Sequence, residues 1–556
     1  MSQSRLQFFN TPVSSGRRPH RVHAPAAEKR PRDSPPEPLV FEDEEEVQDD
    51  DSLQFQHRQE SSNIQLFFDL FFVANLNTFT TSHEINSLEK LGSYIGFFCI
   101  LWFTWCQCTL YDIRFGNDSV FERVCHALHF GLMVALAVIG PDFDAENIDW
   151  HNLQHLSLVL MAQRFILFFQ YGSTLFATRE YHQVRMPLAL TMLSLAISGF
   201  VYLGVSFVFA TKTAVQTFIT WYVLAVLELL AVILISGYWP VLSFRNTQLV
   251  ERMSCLTLIV LGEGIIGLTK TIAKIVSFDS DFSPGIVGSI TSATLITYII
   301  YQLYFDQIRV GNVSLFREQV WAFLHFPFHL AVVLLMEGMV QILLWRKICE
   351  IINALIIPLT DNVDLNEPGA IGSAFKAYNS TITELLRLFP PETNATGIHS
   401  DVGAALSIIN PTSNSTDGEQ SSAAWRIIGL SLKVVFEGYG FVPPVEDENF
   451  GGLQDVVTLL NTYFSIFDLC FGYVFVSAGG LLIGLAILFI LRSEKAKRRK
   501  LSAFNVAVGS KICIGLGLLL LGTMVLTPAA ETLGESAWTL PILVLVLGIG
   551  KLPARS

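Results

Sequence analysis

Charge is what this chain has least of: Asp, Glu, Lys and Arg make up only 15% of its 556 residues. A soluble domain carries nearer a quarter. That scarcity excludes a water-exposed surface along most of the length. No basic stripe with interleaved aromatics occurs, which excludes the usual footprint of nucleic-acid binding. There is no P-loop, G-x-S-x-G elbow, dinucleotide fingerprint, kinase set or H-E-x-x-H, so the chain reads as a non-enzyme for which no cofactor or bound metal is expected. The eight cysteines include no C-x-x-C pair and lie in or beside apolar segments, which favours free thiols over a disulfide framework. The first 60 residues lack the apolar core of a signal peptide, so the first apolar segment is expected to direct membrane insertion itself.

What is present is hydrophobic. The apolar fraction is 51% and the mean hydropathy +0.46. Apolar stretches fall near 62–80, 91–111, 121–140, 155–177, 187–210, 215–237, 252–275, 286–306, 320–344, 460–492, 505–527 and 537–550. Most are long enough to cross a bilayer as a helix. The expectation is an all-α polytopic bundle of about twelve helices, its partner the lipid bilayer. Residues 1–60, Pro/Arg-rich and then acidic from Glu42, read as a disordered tail. Residues 61–357 form the main membrane domain, 358–458 a long extracytoplasmic connection, and 459–556 the last helices with a short tail.

Orientation follows from the distribution of Lys and Arg. The even-numbered connections hold Arg114, Arg123, Arg179, Arg185, Arg245, Arg252, Arg309, Arg317 and the Lys495–Lys500 cluster. The odd ones hold few; Arg346-Lys347, just outside the ninth helix, are the exception. Both termini are therefore expected in the cytoplasm. The long connection carries N-glycosylation sequons at Asn379, Asn394 and Asn414, on the side that charge counting puts outside. Asn117 and Asn312 fall on the opposite side. Together these suggest a secretory-pathway membrane, such as the plasma membrane or vacuole.

Residues 107–121 and 302–316 resemble one another without a gap. Gln107, Arg114, Gly116, Asn117, Ser119 and Phe121 match Gln302, Arg309, Gly311, Asn312, Ser314 and Phe316, and one insertion later Glu122 and His129 match Glu318 and His325. Six helices separate the copies, so a parallel 6+6 repeat is expected.

Ionisable residues inside apolar segments are the candidate site. A central carboxylate costs about 2.5–3.5 kcal/mol on insertion scales and usually faces a partner or water. Asp69 and Glu263 sit at equivalent points of the proposed repeats, and Arg164 is the expected partner. Glu122, His126 and His129 share one helix face, as do Glu318, His325 and His329. Imidazoles so spaced serve proton relay, metal binding or interhelical hydrogen bonding. Trp102-Phe-Thr-Trp105 reads as packing or an interfacial belt.

At these residues the chain resembles the low-temperature-requirement A (LtrA) family, with a fungal-type extension. Leu66-Phe-Phe-Asp-Leu-Phe-Phe is similar to that family's E-L-F-F-D-L-x-F, with Gln65 in place of the glutamate. Glu251-Arg252 and Leu261-Gly-Glu-Gly264 are similar to its E-R … L-G-E-S, with Gly264 in place of serine. His325-Phe-Pro-Phe is similar to its H-x-P element, and Trp102 through Asp112 resembles its aromatic–Asp region. The resemblance spans about 62–340 and implies a membrane location and importance for Asp69, Glu263 and His325, but no substrate. The leading expectation is a secondary transporter or permease of an unknown small solute or ion. A membrane scaffold or stress-related sensor is the alternative, and a membrane-embedded metal-binding enzyme the third.

Overall fold

The computed structural model describes residues 62–83, 85–144, 149–244, 247–278, 283–306, 314–360, 370–389, 396–409, 416–441, 450–493, 501–524 and 536–551. The expected tail 1–60 lies outside them. So do Asn312, Asn394, Asn414, Arg245, Arg309 and the Lys495–Lys500 cluster.

The described residues form helices and no strand. In chain order these are α1 (Asn63–Ser82), α2 (Leu88–Phe115), α3 (Val120–Ile139), α4 (Trp150–Ala177), α5 (His182–Ala210), α6 (Ile219–Tyr238), α7 (Leu249–Phe278) and α8 (Pro284–Phe305). Then come α9 (Leu315–Phe323), α10 (His325–Ile351), a π turn (Ile352–Ile356), α11 (Ile357–Thr360), α12 (Ala370–Leu388), α13 (Thr396–Ile409) and α14 (Asp417–Gly438). The chain closes with α15 (Leu453–Arg492), α16 (Leu501–Thr523) and α17 (Thr539–Gly550). The protein is a polytopic all-α bundle.

Among the described residues, nine helices are long and apolar enough to cross a membrane. Two of the twelve expected spans, α1 and α4, are not among the nine. Both are long enough, but each carries a buried polar face: Gln65, Asp69 and Asn75 on α1, and Gln163, Arg164 and Gln170 on α4. The third, α17, is apolar but has only 12 residues. On α1 the outward positions are Leu66, Phe67 and Leu70. The soluble pattern is thus inverted, with polar side chains inside and apolar ones outside.

α2 is the axis of this arrangement. From Ile100 to Phe115 every residue is buried, so it has no outward face. α1, α4, α6, α7 and α10 all pack against it.

The expected ninth helix is split. α9 ends at Phe323, and α10 starts at His325 after Leu324. Pro327 has no N–H to donate to the carbonyl four residues back, and its ring crowds that turn. From Leu315 the chain then runs helically for 46 residues to Thr360. Arg346 and Lys347 therefore lie within α10, not beyond its end; Lys347 is buried and Arg346 pairs with Glu350 at 3.3 Å. α15 has 40 residues, about 60 Å at 1.5 Å per residue, against a hydrocarbon core of about 30 Å. The extra length of α10 and α15 forms a stalk on which α14 packs, with α12 and α13 packed in turn against α14. Trp345 stacks on Phe467, and Phe436 on Tyr463, with centroids 3.7 Å apart in both pairs. The long connection is thus largely a helical cap.

Candidate functional site

Asp69 does not meet Arg164. Its carboxylate receives both terminal nitrogens of Arg252, at 2.7 Å each, and the indole N–H of Trp105, also at 2.7 Å. Both charged side chains are fully buried. The fork-on-fork geometry gives the strongest form of ion pair available to a carboxylate. Arg252, expected in a connection, instead starts α7 inside the bundle and pins it to α1.

Arg164 pairs with Glu228 of α6. Its Nε and Nη2 each lie 2.8 Å from a Glu228 oxygen, and Nη1 donates to Gln163. Gln107 adds a 3.4 Å contact to Glu228. Sequence reasoning missed Glu228, although the rule that singled out Asp69, a lone carboxylate in an apolar helix, applies to it equally.

A third set joins Glu122 and His129. Glu122 accepts from the Tyr111 hydroxyl at 2.7 Å and from the Gln170 amide at 2.8 Å. Since that amide nitrogen donates to Glu122, the Gln170 oxygen is left to accept from His129 Nε2 at 2.9 Å. His129 Nδ1 then faces the Cys108 thiol at 3.5 Å. His126 stands apart, 3.8 Å from Asp112.

Glu318, His325 and His329 are wired differently. His325 lies 3.0 Å from the Tyr304 hydroxyl and 2.8 Å from the Trp321 carbonyl. His329 accepts from the Trp102 indole at 3.1 Å and contacts Thr257 at 2.8 Å. Glu318 sits 4.0 Å from Arg492. Trp102 and Trp105, expected as packing or a belt, are hydrogen-bond donors to the polar core. The expected single cluster of Asp69, Glu263, Arg164 and the histidines is in fact several constellations, most of them tied to α2. No group of three or more His, Cys, Asp or Glu among the described residues could hold a metal ion. All eight cysteines are free; Cys513 is exposed.

Glu263 belongs to none of these sets. It is 7% exposed, and its Oε2 is buried without a hydrogen-bond partner. Of the two glycines beside it, Gly264 matters and Gly262 does not. A Cβ on Gly264 would lie 2.7 Å from Met336 Cγ and 2.8 Å from its Cβ, whereas one on Gly262 would meet nothing. α10 therefore approaches α7 closely at Gly264, where the resembling family carries serine.

A cleft of ≈ 550 Å³ opens where α1 begins, α2 ends and α3 begins. Gln65, Asp112, Asn117, Glu122, His126 and Gln248 help to line it. All of these except Asn117 are more than nine-tenths buried. Gln248 Oε1 has no partner. The cleft thus reaches the Glu122–Gln170–His129 chain, which continues it toward the interior.

Enclosed polar constellations within helices whose outer faces are apolar define a multi-pass α-helical membrane protein. The chain belongs to the family described as Bacterial low temperature requirement A protein (LtrA), which it matches over residues 60–355. No curated protein and no solved structure matches it. The family match ends within the π turn, so the helical cap, α15, α16 and α17 lie beyond it.

Proposed function

We propose that the protein is a secondary transporter or permease-like protein for a small polar solute or ion, and not an enzyme. One observation carries the reading: the ≈ 550 Å³ cleft, whose inner wall is Asp112, Glu122, His126 and the unpartnered Gln248. A purely structural bundle has no use for a polar cavity of metabolite size that leaves the buried Gln248 Oε1 unpaired, since such groups are costly. Its acidic lining suits a cationic or hydrogen-bonding solute. By the positive-charge bias the cleft faces the cytoplasm, both termini lie on that side, and the sequon-bearing cap lies outside or in a lumen. The matched 107–121 and 302–316 stretches support a parallel repeat as the frame for alternating access.

The test is flux through purified protein in liposomes against a panel of ions and polar metabolites. Glu122→Gln keeps shape but removes charge at the cleft floor, and is expected to abolish that flux. Undiminished flux in the variant would sink the cleft assignment. The second reading, a scaffold or sensor, is favoured by the helical cap on the α10–α15 stalk. It predicts no flux and a partner whose binding needs the cap.

A further inference from the structure

The wall of the ≈ 550 Å³ cleft is richer in acceptors than in donors. Three of its side chains come from different helices: Asp112 from the last turn of α2, Glu122 from the first turn of α3, and Gln248 from just before α7. Each is more than nine-tenths buried. The lining carries three carboxylates against one guanidinium, and that guanidinium, Arg123, is taken by Asp118 in a two-point contact of 2.8 and 3.0 Å. Glu122 is held by neutral donors, the Tyr111 hydroxyl and the Gln170 amide. Asp112 faces the His126 ring at 3.8 Å, beyond hydrogen-bond reach. Gln248 is fixed through its backbone: its carbonyl accepts the Arg252 N–H at 2.9 Å, and the Arg252 side chain is tied to Asp69. Its Oε1 is buried and unpartnered. The terminal torsion of a glutamine is soft, so this oxygen can turn to a donor that enters the cleft.

We propose that the cleft binds a small organic cation bearing N–H donors, an aliphatic amine or guanidinium, between Asp112, Glu122 and Gln248. Carboxylates attract its charge, and an ammonium brings three donors to a wall that offers acceptors. A metal ion fits less well, because no group of three or more His, Cys, Asp or Glu among the described residues could hold one. The cavity has the size of an organic metabolite site rather than of an ion. An anion would find the N-termini of α1 and α3 at the cleft. Ser119 already accepts the Glu122 N–H, however, Gln65 already accepts the Ser62 N–H, and the acids repel it. Calling this cation the cargo rests on the transport reading; its binding rests on the cleft alone.

Titration calorimetry of the purified full-length protein tests it with three probes of similar length. Putrescine carries charge and N–H donors, its permethylated bis-quaternary analogue carries the charge alone, and 1,4-butanediol carries neither charge nor N–H. Putrescine is expected to bind saturably, the quaternary analogue at least about tenfold more weakly, and the diol not at all. Asp112→Asn should weaken putrescine by at least about tenfold. Gln248→Leu should shrink its advantage over the quaternary analogue. No putrescine binding, equal affinity for the quaternary analogue, or undiminished binding in Asp112→Asn overturns the assignment. Should Asp112→Asn fail to fold, Gln248→Leu decides, and an unchanged advantage there overturns it. Putrescine binding as expected in a protein without flux would end the transport reading and leave the amine site standing. Flux of other solutes without amine binding would do the reverse.

Discussion

Asp69 and Glu263 occupy equivalent points of the proposed repeats, yet their surroundings separate them. Asp69 meets a fully buried Arg252 through two 2.7 Å contacts and a Trp105 indole. Its charge is matched, which makes it a fastener between α1 and α7. Asp69→Asn leaves the Arg252 guanidinium buried without its counter-charge, a change that costs about 3–5 kcal/mol. Thermal unfolding in detergent should show that loss, and the double variant Asp69→Asn/Arg252→Met should recover most of it. A single variant as stable as the wild type would refute the fastener role. The same logic holds for Arg164 and Glu228. That Asp69 is buried and partnered was legible from its place in an apolar helix. The identity of the partner was not, because 183 residues separate it from Arg252 and Arg252 reads locally as a connection residue.

At the scale of elements, α15 and α16 pack backbone to backbone. A Cβ on Gly479 would lie 2.6 Å from the Gly515 carbonyl, and one on Gly522 would lie 2.9 Å from that of Gly472. Small residues let membrane helices approach where no hydrophobic force draws them together. Gly479→Val is expected to destabilise the protein by about 1–3 kcal/mol, the usual range for overpacking. Gly517→Val, on α16 with open space around it, should be near neutral. Equal stability of the two variants, measured side by side, would contradict the packing. The elements themselves follow from apolar run length, and the split between α9 and α10 follows from Pro327. The stalk did not follow, because its extramembrane part is as regular a helix as the span it continues.

For the whole molecule, the topology expected from charge bias makes a direct prediction. Asn379 is exposed on α12 and should carry glycan when the protein is made in a eukaryotic secretory pathway. Glycosidase treatment should shift the wild type, with a smaller shift for Asn379→Gln. Asn117 lines the cleft, at the opposite end by that topology, and Asn117→Gln should leave the shift unchanged. A glycan on Asn117 would invert the molecule. Two of the arginines in the charge bias, Arg114 and Arg252, are buried in the bundle, while Arg123, Arg179 and Arg185 are exposed. The bias therefore rests on the exposed three, on the half-buried Arg317 and on positions outside the described residues.

Membrane residence, helical class and family were written in local pattern: apolar runs of spanning length, few charges, and motifs around Asp69, Glu263 and His325. Each can be read within a window of a few turns, because a bilayer demands a long apolar helix wherever the chain crosses it. Tertiary structure alone decided which buried charges neutralise each other, that Trp102 and Trp105 serve polar partners, and that α2 is enclosed on every side from Ile100 to Phe115. It also left Glu263 Oε2 without a donor. The reason is physical: an ion pair or a cavity depends on distances between helices far apart in the chain, and helix period constrains only neighbours on one helix.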